Sequence, residues 1–478
     1  MKRFLFFSVA FLLLFSNSAA ADVVSLDRYI EMVKNRNHAL QSGVRSVEAA
    51  WYGVLASVAY QRPSMEGTVG GSWLTGNTAQ GVRAKDITAS SGIFRLTHRI
   101  DVSGSFTLDE QQQVLYYEIQ RADFDEEVNS LISSAEENWW SAVLARENIA
   151  LQRDVLRQRR ENNRVIEEKY RQELVPRLDL IRSEAQVVAA ETLVTEAEAQ
   201  YRNLLAALAA LAGGTEVVPV EEPLLVPAFN VDADLEKALQ FRPAVRSARL
   251  ALDRSRVVKK LRAKGLSPTL NAGVSWTPLS DPGTSSSPQK GEMAATLSLT
   301  IPLLDGNETK YSTLNADRLT QAAEARLRSV ETTTNMNLAI ARNNWDRAAA
   351  LEKDRQRQVE RSDEELRITE LMYNEGMGAQ IDLINAQTEN QRVRTDYLDA
   401  VQGMYVALVN LRAAAGDYAP DENGNWKEAL VRYGKGSEIF NEMESKKLRD
   451  HADKSLSTDG SVQENKSTQK RSGAKRKK

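Results

Sequence analysis

The sequence predicts a mainly α-helical chain, internally duplicated, that also carries four β-strands in two hairpins. Three observations lead there. Tyr170 to Gly213 and Tyr373 to Gly416 are one segment written twice at a constant offset, 373 − 170 = 203 and 416 − 213 = 203. Leu178-Asp179-Leu180-Ile181 returns as Ile381-Asp382-Leu383-Ile384, and Leu208 as Leu411. Each copy follows a long run without Gly or Pro, Ser105 to Val175 and Asn307 to Glu375. As helix, such a run is about 105 Å long at about 1.5 Å per residue. The third observation is a set of stretches with period-two alternation, which helices do not show. No single globular core needs so long a rod, so the function should lie in spanning distance.

Taken in order, residues 1–21 read as a secretory signal. Lys2 and Arg3 supply the charge, Phe4 to Phe15 the apolar run, and Ala19-Ala20-Ala21 the small-residue cleavage site. The first repeat is expected over 22–213, with strands at about 64–74 and 92–102. There Met65, Gly67, Val69, Gly71 and Trp73 form one weak strand, and Phe94, Leu96 and Ile100 belong to its partner. Residues 214–231, rich in Val, Pro and Glu, read as an extended linker. The second repeat is expected over 232–418, with strands at about 269–277 and 292–302. Asn37-His38-Ala39-Leu40 and Pro63 recur in it as Arg242-Pro243-Ala244-Val245 and Pro268, at an offset of 205. Leu270, Ala272, Val274 and Trp276 alternate with Asn271, Gly273 and Ser275. Met293, Ala295, Leu297, Leu299 and Ile301 alternate with Ala294, Thr296, Ser298 and Thr300. Trp73 and Trp276 stand near the strand ends, as aromatic belts do at membrane interfaces.

The shorter helices carry a seam that steps by three and four. It runs through Val194, Ala197, Tyr201, Leu204, Leu208 and Leu211, and again through Tyr397, Ala400, Met404, Ala407, Leu411 and Ala414. Residues 419–478 are polar and aperiodic and end in Lys475-Arg476-Lys477-Lys478, which reads as a solvated tail.

Composition narrows the function. The formal charge is −3, or −5 without Lys2 and Arg3, which argues against a nucleic-acid partner. There is no cysteine, hence no lipid-attachment cysteine, disulfide or thiolate metal site. His38, His98 and His451 lack metal-ligand spacing, and no phosphate-binding glycine loop is present. The expectation is a non-enzyme with no catalytic residue, no metal and no cofactor. After the signal no run of about 18 apolar residues occurs, so entry into a membrane would require a β-barrel.

Two hairpins give four strands, and four strands cannot close. Closure needs several copies: two would give eight strands, and three would give twelve with room for a passage. Two readings compete at this point, an export duct through a membrane and a structural coiled-coil protein of the cell envelope without a pore. The alternating hairpins favour the duct, because a filament has no use for them.

The chain also resembles the outer-membrane efflux proteins of the TolC family. The resemblance is carried by Arg242-Pro243-Ala244-Val245, by Ile301-Pro302-Leu303-Leu304-Asp305-Gly306, and by Tyr373-Asn374-Glu375-Gly376 followed by Ile381-Asp382-Leu383-Ile384-Asn385-Ala386. It covers about Val24 to Tyr418. It implies a homotrimer with a twelve-stranded transmembrane β-barrel in outer-membrane lipid. It further implies a periplasmic α-barrel built from duplicated long-helix hairpins, a periplasmic adaptor (membrane fusion) protein and an inner-membrane transporter. Carried over by residue, the periplasmic turns are Tyr170 to Asp179 and Tyr373 to Asp382. Leu174, Val175, Gly376 and Met377 are the implied adaptor-facing tips. Asp382 is the implied acidic gate ring, with Asn385 one turn on. Asp179 and Tyr373 fall where neighbouring coils latch. The turn's usual glycine is kept at Gly376 and replaced by Glu173 in the first copy.

Overall fold

A computed structural model describes residues 22–77, 83–220, 242–279 and 292–419. The signal segment 1–21, part of the linker and the tail from residue 420 lie outside the described residues.

Seven helices and six strands occupy the described residues. In chain order they are β1 (Asp22–Val24), α1 (Leu26–Arg36), α2 (His38–Tyr60), β2 (Ser64–Asn77), β3 (Arg83–Ile100), α3 (Ser105–Arg171) and α4 (Arg177–Leu211). There follow β4 (Val217–Pro219), α5 (Pro243–Arg262), β5 (Thr269–Leu279), β6 (Glu292–Thr300), α6 (Glu308–Asn374) and α7 (Gln380–Ala415). The glycine-free runs become α3 and α6, each 67 residues long and offset by 308 − 105 = 203. Both start at a capping aspartate. Asp101 accepts the amides of Ser103, Ser105 and Phe106 at 3.2, 3.1 and 3.0 Å. Asp305 accepts those of Asn307 and Thr309 at 3.1 and 2.8 Å. These amides would otherwise be orphaned at the helix start.

The chain divides into two compact units. One takes the described parts of residues 44–124 and 243–331 and contains a four-stranded antiparallel sheet in the order β2-β3-β5-β6. The strands differ from their expected limits. β2 continues to Asn77 and β3 begins at Arg83, while β3 and β6 stop at Ile100 and Thr300 and β5 runs on to Leu279. Cross-strand register sorts the side chains by face. Met65 lies opposite Leu96, Phe94 opposite Trp276, Leu96 opposite Val274, and Ile100 opposite Leu270. Trp276 lies opposite Met293, Ala272 opposite Leu297, and Leu270 opposite Leu299. All these residues share one face. The other face carries Ser64, Glu66, Arg95, Thr97, Arg99, Asn271, Ser275, Thr296 and Ser298. The apolar face is solvent-exposed throughout β6, and β2 and β6 are open edges. Below the sheet, Tyr60 meets Phe106 edge-on at 6.0 Å, and Arg99 lies over the Tyr60 ring at 4.3 Å.

The other unit takes the described parts of residues 1–43, 125–242 and 332–433. None of the seam residues is exposed in either shorter helix. In α7 the seam residues Met404, Ala407, Leu411 and Ala414, flanked by Val401 and Leu408, pack in one apolar cluster with Leu144 of α3 and Leu338, Ala341 and Trp345 of α6. Trp140 stacks on Tyr405 at 4.0 Å. Truncating Met404 or Leu411 to alanine would cost about 2–5 kcal/mol. The far ends of α4 and α7 are tied by the same repeat position. Asn37 donates to the Leu211 carbonyl at 3.0 Å, and Arg242 donates to the Ala414 carbonyl at 3.3 Å. Gly213 follows α4 at φ 70° against Arg36, whose carbonyl oxygen would lie 2.6 Å from any added Cβ. The start of the linker is extended: β4 pairs parallel with β1, in register Asp22 with Val217.

Candidate functional site

The candidate site is the pair of turns that reverse the two long helical hairpins, both in the second of the units described. Each turn closes with the same hydrogen bonds 203 residues apart. Leu174 N–H donates to Lys169 O and Glu173 N–H to Tyr170 O, both at 2.9 Å. Met377 N–H donates to Met372 O at 2.9 Å and Gly376 N–H to Tyr373 O at 3.1 Å. This six-to-one and five-to-two pattern ends a helix through one left-handed residue. That residue is Gly376 at φ 74° in the second turn and Glu173 at φ 60° in the first. A side chain in this conformation costs about 1–2 kcal/mol, so the first turn carries strain that the second avoids.

Both turns present apolar side chains to solvent. Leu174 is 67% exposed and Met377 is 68% exposed. Gly376 is exposed and Val175 is half-buried. Two contacts bring the turns together. Lys169 Nζ lies 4.6 Å from the centre of the Tyr373 ring, and Gln380 Nε2 donates to the Asp179 carbonyl at 3.4 Å. Neither Lys169 nor Gln380 was among the expected site residues. The Asp179 carboxylate stands 3.9 Å from Arg182 on its own helix.

Asp382 and Asn385 are both exposed, one turn apart at the start of α7. Among the described residues, the Asp382 carboxylate has no ion-pair partner. From Ile368 to Gln391 the chain carries Glu370, Glu375, Asp382 and Glu389 and no Lys or Arg. Asp382 lies in the first turn of α7.

Above the turns lies a polar layer that the expected site did not include. Arg159 is 3% exposed and donates to Gln387 Oε1 at 2.5 Å and to Thr388 Oγ1 at 3.2 Å. Burial without a carboxylate partner in these bonds lowers its pKa. Gln391 donates to Gln152 at 2.9 Å, and Asn390 to Asp363 at 2.6 Å. The signal was present in the sequence. The three-and-four seam of α7 continues backward from Tyr397 through Arg394, Asn390, Gln387 and Leu383.

The remaining expected residues are on the sheet. Trp276 stacks on Phe94 at 5.7 Å and is exposed, three residues before β5 ends. Trp73 pairs with Thr88, six residues along β2 from Gly67, which lies in the row of Phe94 and Trp276. The side chain of Trp73 lies outside the described residues. No group of residues suited to a metal occurs among the described residues. No described helix is long and apolar enough to cross a membrane.

Residues 235–417 match the family model described as "Outer membrane efflux protein". The match spans most of the second repeat. Solved structures agree in fold. A membrane protein from Pseudomonas aeruginosa matches at TM-score 0.73 and 18% identity, over 83% of this chain and 90% of that one. The open state of the Neisseria gonorrhoeae MtrE outer membrane channel matches at 0.71 and 20%, over 82% and 88%. The Campylobacter jejuni CmeC outer membrane channel matches at 0.69 and 16%, over 86% and 90%. No curated protein sequence matches. These likenesses give the chain the fold of outer membrane channels, long helices together with four strands.

Proposed function

We propose that this chain is an outer membrane efflux protein that forms a homotrimeric export duct, opening and closing at its periplasmic turns. It receives cargo through a periplasmic adaptor and an inner-membrane transporter. The two repeats, 22–213 and 232–418, each contribute one hairpin of strands and one of long helices, the signal 1–21 is removed on export, and the tail from 419 is dispensable for assembly. The observation that carries the reading is the pairing of an open four-stranded sheet, exposed on its apolar face, with helix reversals that expose leucine and methionine. The sheet asks for lipid and for further strands; the turns ask for a protein partner.

In this reading Leu174, Val175, Gly376 and Met377 meet the adaptor. Asp382 supplies one carboxylate per chain to a gate, Asn385 adds polarity without charge, and Asp179 and Tyr373 hold neighbouring coils. Three carboxylates around a narrow axis focus a negative potential that draws cations. Asp382→Asn is nearly isosteric and lies at an exposed site, so the trimer should assemble unchanged. In planar bilayers this variant should show lower cation selectivity and weaker block by trivalent cations than the parent. Unaltered selectivity and block would place the gate at another level.

A further inference from the structure

The most exposed large apolar side chains in the described residues are in neither turn. They are Leu303 and Leu304, 90% and 89% exposed, in the short connection between β6 and α6. Their backbone is well defined by local chemistry. Pro302 fixes its own φ, Gly306 and Asn307 are left-handed at φ 61° and 72°, and the Asp305 carboxylate holds the amides of Asn307 and Thr309. The connection therefore projects two leucines from a capped turn. Folding within a single chain does not explain them.

Their position names the occupant. Met293, Leu297, Leu299 and Ile301 are exposed along one face of β6, and Leu303 keeps the same parity. Beyond the lowest row, where Ile100, Leu270 and Leu299 are aligned, the other connection to a long helix turns polar at Asp101 and Ser103. It keeps one exposed apolar side chain, Val102, which is level with Ile301, and has no counterpart of the Leu303–Leu304 pair. A second copy that closes the barrel through the edge of β6 uses backbone groups in the plane of the sheet and leaves this face uncovered. Whatever covers Leu297 is continuous with what covers Leu303.

We propose that Leu303 and Leu304 are buried in the acyl-chain boundary of the inner leaflet of the outer membrane. Three such pairs would fix the depth of a channel whose chain contains no cysteine for lipid attachment. The proposal rests on the outer-membrane placement of the sheet, and one experiment separates the two.

The natural absence of cysteine permits single-site spin labelling. Labels would be placed on Leu303→Cys, Leu304→Cys, Leu297→Cys for the apolar sheet face and Arg357→Cys for water, each in the trimer reconstituted in phosphatidylethanolamine–phosphatidylglycerol vesicles. Relaxation by dissolved oxygen would be compared with relaxation by a water-soluble nickel chelate. Labels at 303 and 304 should respond to oxygen and be shielded from nickel, as at 297. Nickel accessibility matching position 357 would overturn the proposal, since water then reaches the leucines. Shielding from both reagents would overturn it as well, because a neighbouring copy then covers them. Nickel accessibility at 297 itself would overturn the proposal together with the placement of the sheet in lipid.

Discussion

The two turns have one backbone and different chemistry. Their hydrogen bonds agree pair by pair at the 203-residue offset. Yet the first turn sets Lys169, Arg171, Arg177 and Arg182 among its acids, whereas the second has no base between Arg367 and Arg392. The first strains Glu173 where the second relaxes at Gly376, and it adds Pro176 where the second has Ala379. Duplication preserved what closes a helix and released what faces outward. The comparison teaches that geometry and partner selection are separable here. A charge-mixed, stiffened tip and an anionic, glycine-softened tip can take different partners from the same fold.

The largest effect expected is on docking. Replacing Leu174 and Met377 together by Asp should abolish export in cells and leave the crosslinked trimer intact, because both side chains are exposed. The two single variants sharpen the contrast, since unequal losses would show which tip carries the contact. Full export by the double variant would break the idea that either does. Next comes Gly376→Val. A β-branched residue forced left-handed should destabilise the second turn by about 1–2 kcal/mol or more. Exchange of the Met377 amide should quicken by about 5–30-fold, and no change would mean that the turn relaxes into another conformation. Glu173→Gly runs the other way. Relief of strain, less the added freedom of glycine, should stabilise the first turn by about 0.5–1 kcal/mol. Slower exchange at the Leu174 amide checks it; faster exchange would show that Glu173 is held by something beyond its backbone. The smallest effect is the bridge between the turns. A double-mutant cycle of Lys169→Met with Tyr373→Leu should give a coupling of about 0.5–1 kcal/mol, and zero coupling would uncouple the two tips.

Legibility followed the range of the physics. Long helices were readable because glycine and proline are local punctuation, and α3 and α6 end within four residues of where their glycine-free runs stop. The apolar face of the sheet was readable because alternation is local too. The early start of β3 was not. Arg83 to Ser91 contains Lys85, Asp86, Ser90 and Ser91 in no clear alternation, and pairing with β2 carries the strand instead. The order β2-β3-β5-β6, with β3 beside β5, joins hairpins more than 150 residues apart in sequence and leaves no periodic trace. The same holds for Lys169 on Tyr373. Arg159 differs: it stands seven residues from Gln152 and from Ile166, and all three are buried, so Gln152 and Arg159 are the polar members of a seven-residue spacing along α3.

The buried polar groups near the turn make the two ends of α7 unequal under load. Among its buried residues, Gln387 and Asn390 are the polar ones, and from Ala400 to Ala414 the buried residues carry no charge or amide side chain. Pulling α7 away from its neighbours near the tip exchanges hydrogen bonds with protein for hydrogen bonds with water, at a net cost of about 0.5–1.5 kcal/mol each. Continuing past Tyr397 would wet Val401, Met404, Leu408 and Leu411, at about 1.5–3 kcal/mol per side chain. The helix pair thus behaves as a zipper with a built-in stop. A tug at the tip can part the lower teeth, and the seam above halts the tear before it reaches the rest of the wall.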